Sequence, residues 1–193
     1  MTSRQSLLRE LIKSPVMTLI SSSTITLRHL NISDLPILTC YRQHPDVARY
    51  QSWDAFTQDQ AKAMFEEMQT HTFGTPDNWF QVAIEHPEFG MVGDFGLHFV
   101  DDFQVEIGVT IDPKWQGKGI GKMALKVLLE YLFDTLGKHR VYAIADVRNE
   151  ASSCLFLAAN FRREGSFIEN YFLKGEWCSE YLYAMLTKEW KSQ

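Results

Sequence analysis

The sequence is short of the features that would tie it to a membrane, a nucleic acid or an oxidising compartment. Only three cysteines occur in 193 residues. Cys40, Cys154 and Cys178 are widely separated and odd in number, and none falls in a CxxC or Cys/His pattern with metal-ligand spacing, which argues against a disulfide scaffold or a zinc ribbon. Reduced thiols and a cytoplasmic location are therefore expected. No apolar run approaches the roughly 20 residues needed to span a bilayer, and the opening MTSRQSLLRELIKSPVMTLI lacks the long apolar stretch of a secretory leader. Neither membrane insertion nor secretion is expected. Positive charge is also scarce. There are 19 Lys and Arg against 24 Asp and Glu, a formal net charge of -5, the reverse of the basic excess with which proteins coat nucleic acid or anionic lipid. The six histidines are dispersed with no pair at ligand spacing, so no metal site is expected.

Apolar material is plentiful. Hydrophobic residues make up 45% of the chain, with thirteen Phe, seven Tyr and five Trp, ample to offset chain entropy. The length suits one domain, and no internal repeat, low-complexity tract or linker divides it. Residues 1–22 form an N-terminal extension, with Leu7, Leu8, Leu11 and Ile12 spaced for a helical turn or two before Pro15; residues 23–193 form the single domain.

Periodicity then places the elements. Thr24 to Leu30 alternates like a strand, and Ser33-Asp34 offers an N-cap to a helix carrying Leu35, Leu38 and Tyr41, which His44-Pro45 ends. Thr57-x-x-Gln60 is a capping box ahead of Ala61, Met64, Phe65 and Met68, three and four apart on one helical face. Strands follow at Trp79–Ile84 and Met91–Phe99, an antiparallel pair, and at Val105–Ile111, with Val105, Ile107, Val109 and Ile111 on one face and Glu106, Gly108 and Thr110 on the other. From Ile120 the apolar positions recur at helical spacing up to a Gly137 cap. A buried strand at Arg140–Val147 delivers Asn149 to another helix, and Phe161–Leu173 with Trp177–Leu186 reads as a closing hairpin around Lys174-Gly175.

One segment stands out chemically. Gln116-Gly117-Lys118-Gly119-Ile120-Gly121, followed by Lys122, lies between a strand and the strongest helix. Alternate glycines leave backbone N–H groups unobstructed, and the helix N-terminus adds its positive dipole end, a combination suited to a diphosphate. The alternative is a plain glycine-rich turn. A Walker A loop would need a glycine five residues before Gly121 and Ser or Thr after Lys122, and a dinucleotide fingerprint would need GxGxxG in a parallel unit; neither condition is met.

In this context the chain resembles the GNAT superfamily of N-acetyltransferases, and within it the RimJ and RimL group. Gln116, Gly119 and Gly121 satisfy the family's pyrophosphate motif, Glu106-Ile-Gly108 its strand motif ten residues upstream, and Asn149 with Ser152 its following Asn-x-x-Ser. The likeness runs from Thr24-Ile-Thr-Leu-Arg through Trp79 to Leu186-Thr-Lys-Glu-Trp190. It implies an α+β fold: a mixed, mostly antiparallel twisted sheet of six to seven strands flanked by helices, with two strands splayed at the cofactor site. It implies acetyl-CoA as donor, bound by backbone groups of Val109, Thr110 and Ile111, by the loop Gln116, Gly117, Lys118, Gly119, Ile120, Gly121 and Lys122, and by Asn149 and Ser152. The acceptor would be a primary amine on a protein N-terminus, a polyamine or an aminoglycoside-like small molecule. The resemblance leaves room for a homodimer.

The catalytic roles rest on the same likeness. Glu106 is the candidate base, acting through a water, with a cleft carboxylate that only attracts cationic substrate as the alternative. Many relatives carry a general-acid Tyr seven residues after the Asn. Phe156 stands there, so Ser152 inherits the contact with the leaving thiolate, unless it and Asn149 serve only as helix caps. Asn160 replaces a usual Gly at a turn and tolerates positive φ. Among Trp53, Phe56, Phe73, Trp79 and Phe80, most belong in the core rather than in an acceptor pocket, and Cys154 reads as a buried small hydrophobe. A non-catalytic acyl-CoA-binding module of the same fold is the competing class.

Overall fold

A computed structural model describes residues 17–192, so the helical turns expected around Leu7 lie outside the described residues. One eight-stranded sheet runs in the order β1-β2-β3-β4-β5-β6-β8-β7. Its strands are β1 (Thr18–Ser21), β2 (Thr26–His29), β3 (Asn78–His86), β4 (Gly90–Phe99), β5 (Gln104–Ile111), β6 (Arg140–Asp146), β7 (Arg162–Leu173) and β8 (Glu176–Leu186). All neighbours are antiparallel except β5 and β6. That parallel pair requires a crossover, which the helix α4 (Ile120–Glu130) supplies. The additional strand is β1, which pairs with β2 through Thr18 and Arg28. At four residues its alternation was too short to read.

The helices divide between the two faces. Ile120, Ala124, Leu125, Leu128 and Leu129 of α4 pack with Val82, Phe95, Leu97, Val105 and Ile107 in the main core. Helices α1 (Leu35–Arg42) and α3 (Gln58–Met68) build a second cluster against Ala83 and Met91 on the opposite face. The capping box of α3 forms as expected: Thr57 Oγ1 accepts from the Gln60 N–H at 3.2 Å and Gln60 Oε1 from the Thr57 N–H at 2.8 Å.

The start of α1 differs. Asn31, not Ser33 or Asp34, provides the side-chain cap, accepting from the Ser33 N–H in front of a short 3-10 turn. Asp34 completes a capping box there by accepting from the Asn31 N–H at 2.8 Å, and the same carboxylate pairs with the buried Arg28 guanidinium at 2.7 and 3.0 Å. One carboxylate thus serves both the buried arginine and the end of the turn. Pro45 ends α1 and also opens the one-turn helix α2 (Pro45–Ala48), a first-turn place where its missing N–H costs nothing.

Candidate active site

The site begins where β5 and β6 part. Their ladder runs through Gln104 with Arg140 and Val105 with Val141, and stops at Glu106 with Tyr142. Both strands continue, β5 to Ile111 and β6 to Asp146, so the β5 edge beyond Glu106 is left without a strand partner on that side. Between the diverging strands opens a cleft of about 760 Å³. Val109, Thr110 and Ile111 form one wall; Gln116, Gly117, Gly119, Gly121 and Lys122 contribute to another; α5 (Glu150–Ala158) and Asn149 a third.

The glycine loop is shaped as its sequence implies. Gly119 is the N-cap of α4 in the left-handed region, φ 78°, where a side chain is strained. The first-turn N–H groups behind it have no intrahelical partner. Gln116 has a bracing role: its Nε2 donates to the Ile111 carbonyl at 2.9 Å, tying the loop to the end of β5. Gly93 fixes that end from the other side. It opposes Ile111, and a Cβ there would lie 2.2 Å from the Thr110 carbonyl oxygen, so only glycine lets β4 approach the cleft wall this closely. Two loop residues lie outside the cleft lining. Ile120 is 3% exposed and turned into the core, leaving its backbone as the only group available to a ligand, and the Lys118 ammonium sits 4.4 Å over the Trp115 ring.

A strap covers the cleft from above. Asp46, Val47, Arg49, Tyr50 and Gln51, on and just after α2, line it. The Tyr50 hydroxyl donates to the Arg148 carbonyl at 3.0 Å, and Lys174 Nζ in the β7–β8 turn donates to the Ala48 carbonyl at 2.8 Å. Arg148 is itself fixed, 2.6 Å from Asp146 and paired with Glu176; those hydrogen bonds, Asp146 first, hold its guanidinium firmly protonated.

On α5, Asn149 Oδ1 accepts from the Ser152 N–H at 3.1 Å, so the cap is real, while Ser152 also lines the cleft and its hydroxyl makes no hydrogen bond to described residues. Ser153 points elsewhere, its Oγ buried without a partner. Phe156 is 2% exposed and packs on Phe161 and Tyr183. Asn160 adopts φ 63°, as the turn requires. The reading of Cys154 is corrected: it is exposed and lines the cleft, because the opening between the strands bares the α5 face that would otherwise meet a sheet.

Glu106 stands at the last rung of the β5–β6 ladder, outside the cleft lining, on the sheet face that carries α1 and α3. Its side chain is 23% exposed. The Tyr142 hydroxyl donates to Glu106 Oε2 at 3.3 Å; burial and the adjacent carboxylate push that hydroxyl up to about 12. His98 of β4, the register partner of Glu106, has Nδ1 3.6 Å from the same oxygen. Trp79 stacks on His98 with centroids 4.9 Å apart and is 48% exposed. Phe56 and Phe80 are buried, Phe73 packs on the main core and Trp53 on the second cluster. Tyr142, His98 and the strap are absent from the motif pattern; a parallel pairing of Val105 with Val141 would have put Tyr142 beside Glu106.

Among the described residues, no group of three or more His, Cys, Asp or Glu is placed to hold a metal ion, and no helix is long and apolar enough to cross a membrane.

Comparison with known proteins gives this geometry a family. The chain is 27% identical to the uncharacterized N-acetyltransferase YnaD of Bacillus subtilis over 89% of its length and 98% of the relative's. It is 24% identical to the spermidine N(1)-acetyltransferase of Escherichia coli K12, over 81% of this chain and 83% of that one. A segment covering 44% of the chain is 32% identical to 43% of the E. coli K12 [ribosomal protein uS5]-alanine N-acetyltransferase. Among solved structures, a GNAT-family acetyltransferase from Bacillus anthracis superposes with TM-score 0.79 at 25% identity, covering 90% of this chain and all of that one. The Vibrio cholerae spermidine N-acetyltransferase, solved with CoA and spermine, gives 0.78 at 21%, covering 88% and 99%. The model of the acetyltransferase (GNAT) domain matches residues 24–162, and the chain belongs to the GNAT family of acetyltransferases.

Proposed function

We propose that this protein transfers the acetyl group of acetyl-CoA directly to a primary amine, with a polyamine or a protein N-terminus as the acceptor class. The observation that carries the reading is the end of β5–β6 pairing at Glu106 and Tyr142. On that side it leaves β5 backbone groups between Val109 and Ile111, apart from the Ile111 carbonyl that Gln116 engages, without a strand partner and open to the amides of a pantetheine arm, above a glycine loop and helix N-terminus suited to its diphosphate. It also sets a carboxylate at the fork, where thioester and amine would meet.

An alkylamine arrives protonated at neutral pH, with a side-chain amine near ~10.4, so a proton must leave before nitrogen attacks. Glu106 takes it, directly or through a water, while Tyr142 holds its Oε2. Ser152, with a hydroxyl free toward the cleft, assists the departing thiolate. Gln116 keeps the loop in register with β5, and the Asn149 cap sets the first turn of α5. The chain then works as one domain that takes in β1 and so begins before residue 23, in the cytoplasm and without a metal; whether it pairs as a homodimer is read by light scattering.

The test is release of free thiol from acetyl-CoA in the presence of spermidine, a peptide with an N-terminal alanine, or an aminoglycoside. Turnover with one of them is expected. Tight CoA binding with no turnover on any amine would instead identify a binding module.

A further inference from the structure

We infer that His98 is a positioning residue that carries the substrate's proton from Glu106 toward Asp77 and solvent, an inference that rests on the acetyl-transfer reading above.

Proton balance sets the need. When R–NH₃⁺ becomes R–NH–CO–CH₃, a C–N bond forms, the C–S bond breaks, and nitrogen loses two protons. One leaves with the thiolate as the thiol. The other must be discharged every turnover, or Glu106 stays protonated and cannot serve the next amine.

His98 is placed to receive it. Its Nδ1 is buried, makes no hydrogen bond and lies 3.6 Å from Glu106 Oε2. Its Nε2 is 3.6 Å from Asp77 Oδ1, on a side chain 96% exposed. The ring stacks flat on the half-exposed Trp79 at an interplanar angle of 11°, which sets the resting directions of both nitrogens. A neutral imidazole carries one N–H. With that hydrogen on Nε2, toward Asp77, Nδ1 presents a lone pair to a carboxylate oxygen: two acceptors face each other across a gap too long for a hydrogen bond. The pair is one proton short, and the reaction supplies one. Protonated Glu106 then donates to Nδ1, His98 releases a proton from Nε2 to Asp77 and bulk water, and a half-turn of the ring with tautomer exchange through water restores the Nε2–H form before the next amine binds.

The surrounding charges agree with this direction. Asp77 precedes β3, Glu106 is on β5, and Tyr142 on β6 donates to the same Oε2, while Arg140 lies beyond the Tyr142 ring at 5.4 Å. The carboxylates flank the imidazole at both ends, and the cation is paired with Glu164 at 2.5 Å. Since Tyr142 and His98 both address Oε2, Oε1 is the oxygen left for the amine.

Two measurements on the full-length protein test this. In ¹⁵N spectra of the imidazoles, His98 should show the Nε2–H tautomer, with its Nδ1 signal moving in Glu106→Gln and its Nε2 signal moving in Asp77→Asn. In thiol-release assays with acetyl-CoA and spermidine or an N-terminal-alanine peptide, His98→Gln should lower kcat about tenfold or more. The KM for acetyl-CoA and the melting temperature should stay unchanged, and the acid limb of the kcat profile should flatten. Added imidazole should restore part of the rate of His98→Ala. An Nδ1 signal indifferent to Glu106→Gln, or wild-type kcat in His98→Gln, overturns the proposal. A wild-type protein inert toward every amine removes the proton's source and acetyl transfer with it, an outcome distinct from a turning-over enzyme indifferent to His98.

Discussion

Strand β4 carries two side chains on the same face, four residues apart, that belong to opposite kinds of polar cluster. At Asp94 every contact is short. Tyr41 donates its hydroxyl to Oδ1 at 2.5 Å and Arg42 reaches Oδ2 at 2.5 Å, with the guanidinium flanked by the Trp53 and Phe56 rings. At His98 the contacts are slack: 3.6 Å to Glu106 and 3.6 Å to Asp77, beside a 3.3 Å hydrogen bond from Tyr142 to Glu106. Each cluster holds a carboxylate, a tyrosine and a basic side chain. The saturated one is 1% exposed at Asp94 and fastens α1 to the sheet; the slack one is half-open and retains room for a proton to move. Tightness suits stability and slackness suits the chemistry proposed for Glu106, because a carboxylate satisfied on one oxygen by a buried arginine and on the other by a tyrosine hydroxyl has nothing left to give a substrate.

The largest expected effect is in the tight cluster. Asp94→Ala leaves Arg42 charged and uncompensated and should cost about 3–5 kcal/mol of stability, read from denaturant midpoints. Next comes Glu106→Gln, which should lower kcat by about 100-fold, roughly 2.7 kcal/mol of transition-state stabilisation. Acetyl-CoA affinity by calorimetry and the denaturant midpoint should hardly change; a loss of stability like that of Asp94→Ala would break the contrast. Ser152→Ala should reduce turnover ~10- to 100-fold, whereas Ser153→Ala, about 100° round the helix, should leave turnover alone and show only in stability. Equal losses of both kinds in the two variants would return Ser152 to a capping role. Gly119→Val, in neither cluster, should weaken acetyl-CoA binding about tenfold or more, since a β-branched residue is strained at φ 78° and blocks approach to the helix N-terminus.

The smallest effect belongs to Tyr142. Its folded pKa, about 12, lies above its ordinary 10.0, so burial and Glu106 favour the protonated form. The stability this gives is fully present below pH 10 and is lost as pH rises toward 12. Tyr142→Phe should therefore flatten the alkaline limb of stability against pH while changing kcat only a few-fold; an unaltered limb would show that Tyr142 does not hold Glu106.

Local patterns were legible wherever one segment decides its own structure. Thr57 and Gln60 announced a capping box, Asn160 a positive φ, and the alternation of Val105 to Ile111 a strand with Glu106 on its other face. The helix spacing after Ile120 named the core face of α4. Illegible features are those set by partners distant in the chain. Tyr142 meets Glu106 only through parallel register, Asp34 reaches back to Arg28 across a turn, and Cys154 is bared by a gap between strands that no property of α5 encodes. His98 looked like any dispersed histidine until β4 placed it opposite Glu106. The strap was hidden for the same reason: Tyr50 and Arg148 are 98 residues apart and Lys174 and Ala48 126.

Those two ties also bear on synthesis from N- to C-terminus. The glycine loop and both splayed strands are synthesised before Lys174, so for a time the growing chain holds the glycine loop without the anchor that keeps Ala48 in place. β6, moreover, pairs on its other edge with β8, so until the final hairpin arrives it has an exposed edge suited to the wrong partner. The last strand to emerge thus completes both the sheet and the roof of the cleft, and a chain cut before residue 174 should hold acetyl-CoA poorly even where its loop is intact.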